Sequence, residues 1–265
     1  MAGRSAWIFP PGLECDPFTN GAITRDVYRA PVAGPAVILI HEGGGLGPST
    51  MRIADRLSAA NLTPVLPVLI DRPRANASKR QVVRNIVEIC MARELGAFAH
   101  NESTPIVDWL RALARHEHQR AGGPGVGVIG MCFSGGYAIA MVTEPSVAAA
   151  VSGEPALPWA LPGRRTDLPM SAAEWAEVAG RAEQGFCVRA LRYQVDFKSP
   201  GSRMRFIEAM LPNVSVVELP TWNPLKHSVL ADATSADPFS ELGRALNGTI
   251  SYLVDRLAVS PPLTS

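Results

Sequence analysis

Residues 125–136 read Gly-Val-Gly-Val-Ile-Gly-Met-Cys-Phe-Ser-Gly-Gly, and Cys132 within that run is the residue best placed for covalent chemistry. An apolar strand runs into a turn of small residues with a thiol near its apex. Such a sequence builds a nucleophile elbow, a tight strand-to-helix turn that lifts one side chain above a parallel sheet. The backbone folds back on itself there, so small residues are needed two positions before and two after the nucleophile. Gly130 and Ser134 meet that need around Cys132.

Ser134 is the alternative nucleophile, since it too is flanked by small residues. The apolar run of Val126, Val128 and Ile129 ends at Gly130, which puts the sharp turn at 131–133 and favours Cys132. Ser134 then falls in the first turn of the following helix. A third reading is a buried structural cysteine in a glycine-rich turn, and the motif alone does not separate it from the catalytic one.

The elements that position these residues follow from periodicity. Residues 35–40 are a continuous apolar run, as expected of a strand buried on both faces, and they end in His41-Glu42-Gly43-Gly44-Gly45. An edge strand is expected over 22–28 and a strand over 63–70. Helices are expected after a Ser49 or Thr50 cap, over 79–99 and over 105–118. After the elbow come a helix at 135–142, a short strand at 147–151 and a Pro- and Gly-rich loop at 153–170. Ser171 and Glu174 form a capping box that opens a helix to about 184. A strand over 187–194 leads to Asp196, a helix follows over 202–210, and a strand over 214–219 leads to His227. A helix over 243–257 closes the pattern. Strands alternating with amphipathic helices imply an α/β fold, with a mostly parallel central sheet and helices on both faces. Ligands in such folds bind beyond the carboxyl ends of the strands, where Glu42, Cys132, Asp196 and His227 all fall.

The chain has 265 residues, enough for a single domain spanning 1–265, with 153–185 as a lid-like insertion. A formal net charge of +1 gives no electrostatic case for nucleic acid or an anionic membrane. No apolar run approaches the roughly 20 residues that span a bilayer, and the N-terminus lacks a signal-like apolar segment. Cys15, Cys90, Cys132 and Cys187 are widely separated, which suits a reducing cytoplasm and argues against zinc or a disulfide framework. No cofactor and no metal are expected, and the chain is expected to act as a monomer or homodimer.

The order nucleophile, acid, histidine is that of α/β-hydrolases, here Cys132, Asp196, His227, with Asp167 and Asp232 as rival acids. Cysteine in place of serine within Gly-x-Cys-Phe resembles the dienelactone hydrolase family. His41-Glu42 before the Gly loop, Val195-Asp196 with Ser199-Pro200, and His227-Ser228 extend the resemblance over roughly residues 20–257. It implies hydrolysis of a carboxylic ester or lactone. A thiol of ordinary pKa, about 8.5, is mostly protonated at neutral pH and needs a base. His227 can take that proton and later activate water, with Asp196 orienting the imidazole. Backbone N–H groups of Phe133 and Gly43 are the expected oxyanion donors. Otherwise a solvated loop residue or helix cap, Glu42 is implied by the resemblance to meet the thiol and couple substrate binding to thiolate formation.

In members acting on dienelactone an arginine four residues after the histidine helps hold the substrate carboxylate, and here that position is Ala231. Met131 stands where an aromatic residue is frequent, and Arg80 or Arg84 is expected to supply a second substrate-binding arginine. A larger or less acidic ester is therefore expected. A thioesterase or general carboxylesterase would use the same machinery. A non-catalytic hydrolase-fold protein binding a small ligand or partner is the alternative of another class.

Overall fold

In the computed structural model, which describes residues 12–70 and 79–258 and no side chain within 71–82, eight strands form one sheet. They are β1 (Glu14–Asn20), β2 (Ile23–Arg29), β3 (Ala36–Ile40), β4 (Thr63–Pro67), β5 (Val126–Met131), β6 (Val147–Gly153), β7 (Val188–Tyr193) and β8 (Val214–Leu219). The helices are α1 (Pro48–Ala59), α2 (Lys79–Met91), α3 (Pro105–Ala121), α4 (Gly135–Ala140), α5 (Ala172–Glu183), α6 (Gly201–Met210), α7 (Val229–Ala233) and α8 (Glu241–Leu257). The spatial order is β1-β2-β4-β3-β5-β6-β7-β8. Strands from β4 onward in that order run parallel, whereas β1 and β2 form an antiparallel hairpin at one edge.

Every residue of β3, β4 and β5 is buried, because helices cover both faces. Trp109, Leu110 and Leu113 of α3 pack on one face. Ile53 and Leu57 of α1, with Leu246 and Leu253 of α8, pack on the other. Among the described residues no helix is long and apolar enough to cross a membrane.

Several boundaries differ from those expected. The cap of α1 is Gly47, with Pro48 in the first turn, where its missing N–H costs nothing. The pattern over 79–99 breaks after Met91, and Gly96 in the left-handed region closes a short 3-10 turn. A Cβ at Gly96 would lie 2.2 Å from Thr104 Cγ2, so both the space and the conformation require glycine.

The stretch 153–185 divides into a loop that lines the cavity and a packed helix. The capping box at Ser171 and Glu174 forms as expected. However, α5 buries Trp175, Val178 and Ala182 in the core beside α4, with Trp175 edge-on to Phe206 at 5.3 Å. Its apolar face is spent on the core, so α5 is a core helix.

Strand register sets the site. Ile40 lies opposite Gly130, Met131 opposite Gly153, and Gly153 opposite Leu191. The chain therefore leaves β3, β5 and β6 at the same level of the sheet, with Glu42, Cys132 and Glu154 in adjacent positions along its carboxyl edge.

Candidate active site

The elbow forms where expected. Met131 is extended and Cys132 takes φ 57°, in the left-handed region. A non-glycine residue there costs about 1–2 kcal/mol, and persists where its surroundings dictate it. Gly130 is required: a Cβ would sit 2.2 Å from the Ser134 carbonyl oxygen. Ser134 is fully buried, and its Oγ accepts the Met131 N–H at 2.9 Å. That hydroxyl is spent on the turn and does not reach the cavity, whereas Cys132 lines it.

His227 and Asp196 meet as expected. The imidazole Nδ1 donates to Asp196 Oδ2 at 2.5 Å, and both side chains are buried. Asp196 Oδ1 accepts the backbone N–H groups of Lys198 and Ser199, at 2.9 and 3.3 Å. The carboxylate thus holds both its own turn and the ring. Burial works against a charged imidazole, but the Asp196 bond and the Cys132 thiol outweigh it and push the His227 pKa up to about 10. Nε2 is buried with no fully formed hydrogen bond, and the thiol is the side chain that acts on it. The rival acids have partners elsewhere. Asp167 pairs with His100 at 3.2 Å, and Asp232 accepts from Tyr193 at 2.8 Å and Lys226 at 3.1 Å.

Glu42 lines the cavity with one carboxylate oxygen buried and unpartnered. Burial raises its pKa, opposed by the Ser228 hydroxyl and His227. The two expected oxyanion donors, Gly43 and Phe133, line the same cavity. Each N–H belongs to a peptide whose carbonyl is pinned. The Glu42 carbonyl accepts from Gly45 N at 2.9 Å and His41 Nδ1 at 2.8 Å. His41 Nε2 accepts the Leu69 N–H at 3.1 Å, which assigns its proton to Nδ1. The Cys132 carbonyl accepts the Ala156 N–H at 2.9 Å.

The cavity is about 480 Å³. Ile86 and Ile89 of α2, Phe133, Trp159, Leu161 and Phe197 give it apolar walls. Lys198 and Glu42 are its charged members beside His227. The loop over residues 156–161 forms one wall, fastened by the buried Arg203, which donates to the carbonyls of Pro155 and Pro158 at 2.8 and 2.6 Å.

Two expected substrate contacts are corrected. Met131 is fully buried among core residues on the other side of the strand, because an extended residue before the elbow points away from Cys132. Arg84 is exposed and does not line the cavity, since α2 turns Ile86 and Ile89 toward it instead. The Arg80 side chain lies outside the described residues.

Sequence reasoning missed Glu154, which directly follows β6, is fully buried and has φ 36°. It also missed Asn85, buried on α2, whose Nδ2 donates to the Gly43 carbonyl at 2.9 Å. The left-handed, buried state of Glu154 leaves no local sequence signature. A polar residue among the apolar residues of one face of the amphipathic α2 was a usable signal for Asn85. Among the described residues no group of three or more His, Cys, Asp or Glu is arranged to hold a metal ion.

The dienelactone hydrolase family model matches residues 25–164. No curated protein matches the sequence. Among solved structures, a dienelactone hydrolase from Anabaena variabilis superposes with TM-score 0.60 at 15% identity, covering 93% of this chain and 99% of that one. A dienelactone hydrolase-like promiscuous phosphotriesterase from metagenomic libraries gives 0.61 at 14%, covering 93% and 98%. A thioesterase domain from the curacin biosynthetic pathway gives 0.55 at 11%, covering 91% and 99%. At these identities the likeness is one of fold.

Proposed function

The chain belongs to the dienelactone hydrolase family, and from that membership we propose that it cleaves a carboxylic ester or lactone through a cysteinyl acyl-enzyme on Cys132. The observation that carries this reading is the cavity-facing Cys132 at φ 57°, beside a His227 held by Asp196 at 2.5 Å.

His227 takes the thiol proton, and the sulfur attacks the ester carbonyl carbon to give a tetrahedral oxyanion. The N–H groups of Gly43 and Phe133 receive that charge. Collapse expels the alkoxide, which takes the proton from His227. The charge on Cys132 is one of the influences raising the proton affinity of His227, and acylation removes it. The imidazole is then neutral when it must act as base. It takes a proton from water, hydroxide attacks the thioester, and the carboxylic acid leaves as the sulfur regains its electron pair. The net reaction is ester plus water giving acid plus alcohol, with no cofactor.

The apolar walls favour an ester whose acyl or alkyl part is hydrophobic. Ala231 supplies no arginine for a substrate carboxylate, which argues against dienelactone itself. The free thiols Cys15, Cys90, Cys132 and Cys187 suit a reducing, cytoplasmic setting. The test is a panel of hydrophobic oxygen esters, lactones and thioesters, with mass-spectrometric trapping of an acyl group on Cys132. Turnover that vanishes in Cys132→Ala and His227→Ala is expected. Binding without turnover by the wild type would make the chain a binding protein and overturn the proposal.

A further inference from the structure

Cys132 has a carboxyl group on each side. Glu42 follows β3 and Glu154 follows β6, both flanking β5, and adjacent strands lie about 4.8 Å apart. The two acids stand in different surroundings. Burial raises the Glu42 pKa, but Glu42 lines the cavity, where the Ser228 hydroxyl, His227 and Lys198 favour its charge. Glu154 is fully buried, and no cation forms an ion pair with it among the described residues. Its Oε2 accepts the Val229 N–H at 3.2 Å, and its Oε1 has no partner.

The groups facing Glu154 come from four elements: Glu42 after β3, Cys132 in the elbow, His227 after β8 and Tyr193 on β7. Two carboxylates around a sulfur that must become anionic would crowd three negative charges against one imidazolium. A buried site of this kind resolves the conflict by keeping one proton. The acid with the poorer support keeps it. Burial and the charge of Glu42 raise the Glu154 pKa well above the ordinary value, in agreement with that placement.

The contact to Val229 gives Glu154 a task. Val229 is two residues beyond His227 and opens α7. Its N–H is also 3.2 Å from the His227 carbonyl oxygen. Glu154 therefore ties the end of β6 to the turn that carries the imidazole. Its own N–H donates to the Leu191 carbonyl on β7 at 2.7 Å, which fixes the anchor point between the two strands.

We propose that Glu154 is a positioning residue for His227, and that it works as a neutral carboxylic acid, leaving Glu42 to carry the single carboxylate charge beside Cys132. The left-handed backbone at Glu154 fits this role, because strain of that kind is retained where the side chain is needed in one place. The inference rests on the ester-hydrolase reading only for its kinetic arm.

The test compares Glu154→Gln with Glu154→Ala, using iodoacetamide alkylation of Cys132, ester kinetics and infrared spectroscopy. Glutamine keeps a neutral group and an acceptor for Val229, so Glu154→Gln should hold kcat and the alkylation rate within about threefold of wild type. Alanine releases the turn, so kcat should fall on the order of 10- to 100-fold with KM little changed. Alkylation at neutral pH should slow alongside it. The infrared difference between wild type and Glu154→Gln at pH 7 should show the carbonyl stretch of a protonated carboxylic acid. That readout stands even where the alanine variant fails to fold. Absence of the band, a glutamine variant as impaired as the alanine one, or an alanine variant equal to wild type would each overturn the proposal. A wild type that alkylates rapidly at Cys132 yet turns over no ester defeats the hydrolase reading alone, and leaves the Glu154 comparison readable.

Discussion

Ala156 donates its backbone N–H to the carbonyl oxygen of Cys132 at 2.9 Å, so the loop after β6 orients the peptide that carries the Phe133 N–H. On the opposite side His41 does the same for the peptide carrying the Gly43 N–H, through the Glu42 carbonyl. Neither donor depends on its own side chain. Pre-aimed donors stabilise developing charge without reorganising.

His41→Ala should therefore lower kcat on the order of 10- to 100-fold while leaving KM near the wild-type value. Steady-state kinetics on the best ester of the panel checks this. An unchanged kcat would remove Gly43 from the oxyanion assignment.

Asp196→Asn should keep the fold but present a ring held in the wrong tautomer, because an amide can donate to Nδ1. The expected loss in kcat is on the order of 10³- to 10⁴-fold, the size found when a triad carboxylate is amidated. Activity within tenfold of wild type would mean that another group orients His227.

Cys132→Ala and Ser134→Ala should part company. The first should abolish turnover with little change in unfolding temperature. The second leaves the buried Met131 N–H without its acceptor and should cost about 1–3 kcal/mol of stability, while keeping much of the rate. A dead but stable Ser134→Ala would transfer the chemistry to the serine.

Stability should fall as pH rises from about 6 to 9. Burial raises the Glu42 and Glu154 pKa values above the ordinary 4.5, and the His227 pKa stands at about 10 against an ordinary 6.5. All three groups hold protons more tightly in the folded chain than in the unfolded one. Across this range unfolding thus releases the His227 proton. The His227 contribution is complete below 6.5 and is lost as pH climbs towards 10. Glu174, whose pKa is lowered by its hydrogen bonds to Ser103, Ser171 and Arg111 despite burial, acts only at the acid end. Thermal unfolding across the range checks the slope, which His227→Gln should flatten. A melting temperature that rises from pH 6 to pH 9 would contradict the sign.

Much of the sheet was legible because its central strands are unbroken apolar runs. Residues 214–219 match β8 to the residue, and β3 and β5 lie within one residue of their expected ends. β1 escaped notice because it is exposed along most of its length and contains a proline and an aspartate. α7 has five residues, too few for a helical period to show. At the site, order along the chain gave Cys132, Asp196 and His227, since each follows a recognisable strand. Facing is another matter. Met131 adjoins Cys132 in sequence yet points into the opposite side of the sheet, and Arg84 sits on the wrong face of α2. Glu154 becomes visible only through parallel register, which sets the ends of β3 and β6 on either side of β5.

The left-handed backbone at Cys132 and Glu154 has an evolutionary corollary. At both positions glycine would relieve strain of about 1 kcal/mol or more, so the fold alone would favour it there. A thiol and a carboxyl group persist in two places where the backbone conformation by itself would favour glycine. A descendant carrying glycine at both would gain a relaxed backbone, give up the Glu154 contact to Val229, and lose its reaction.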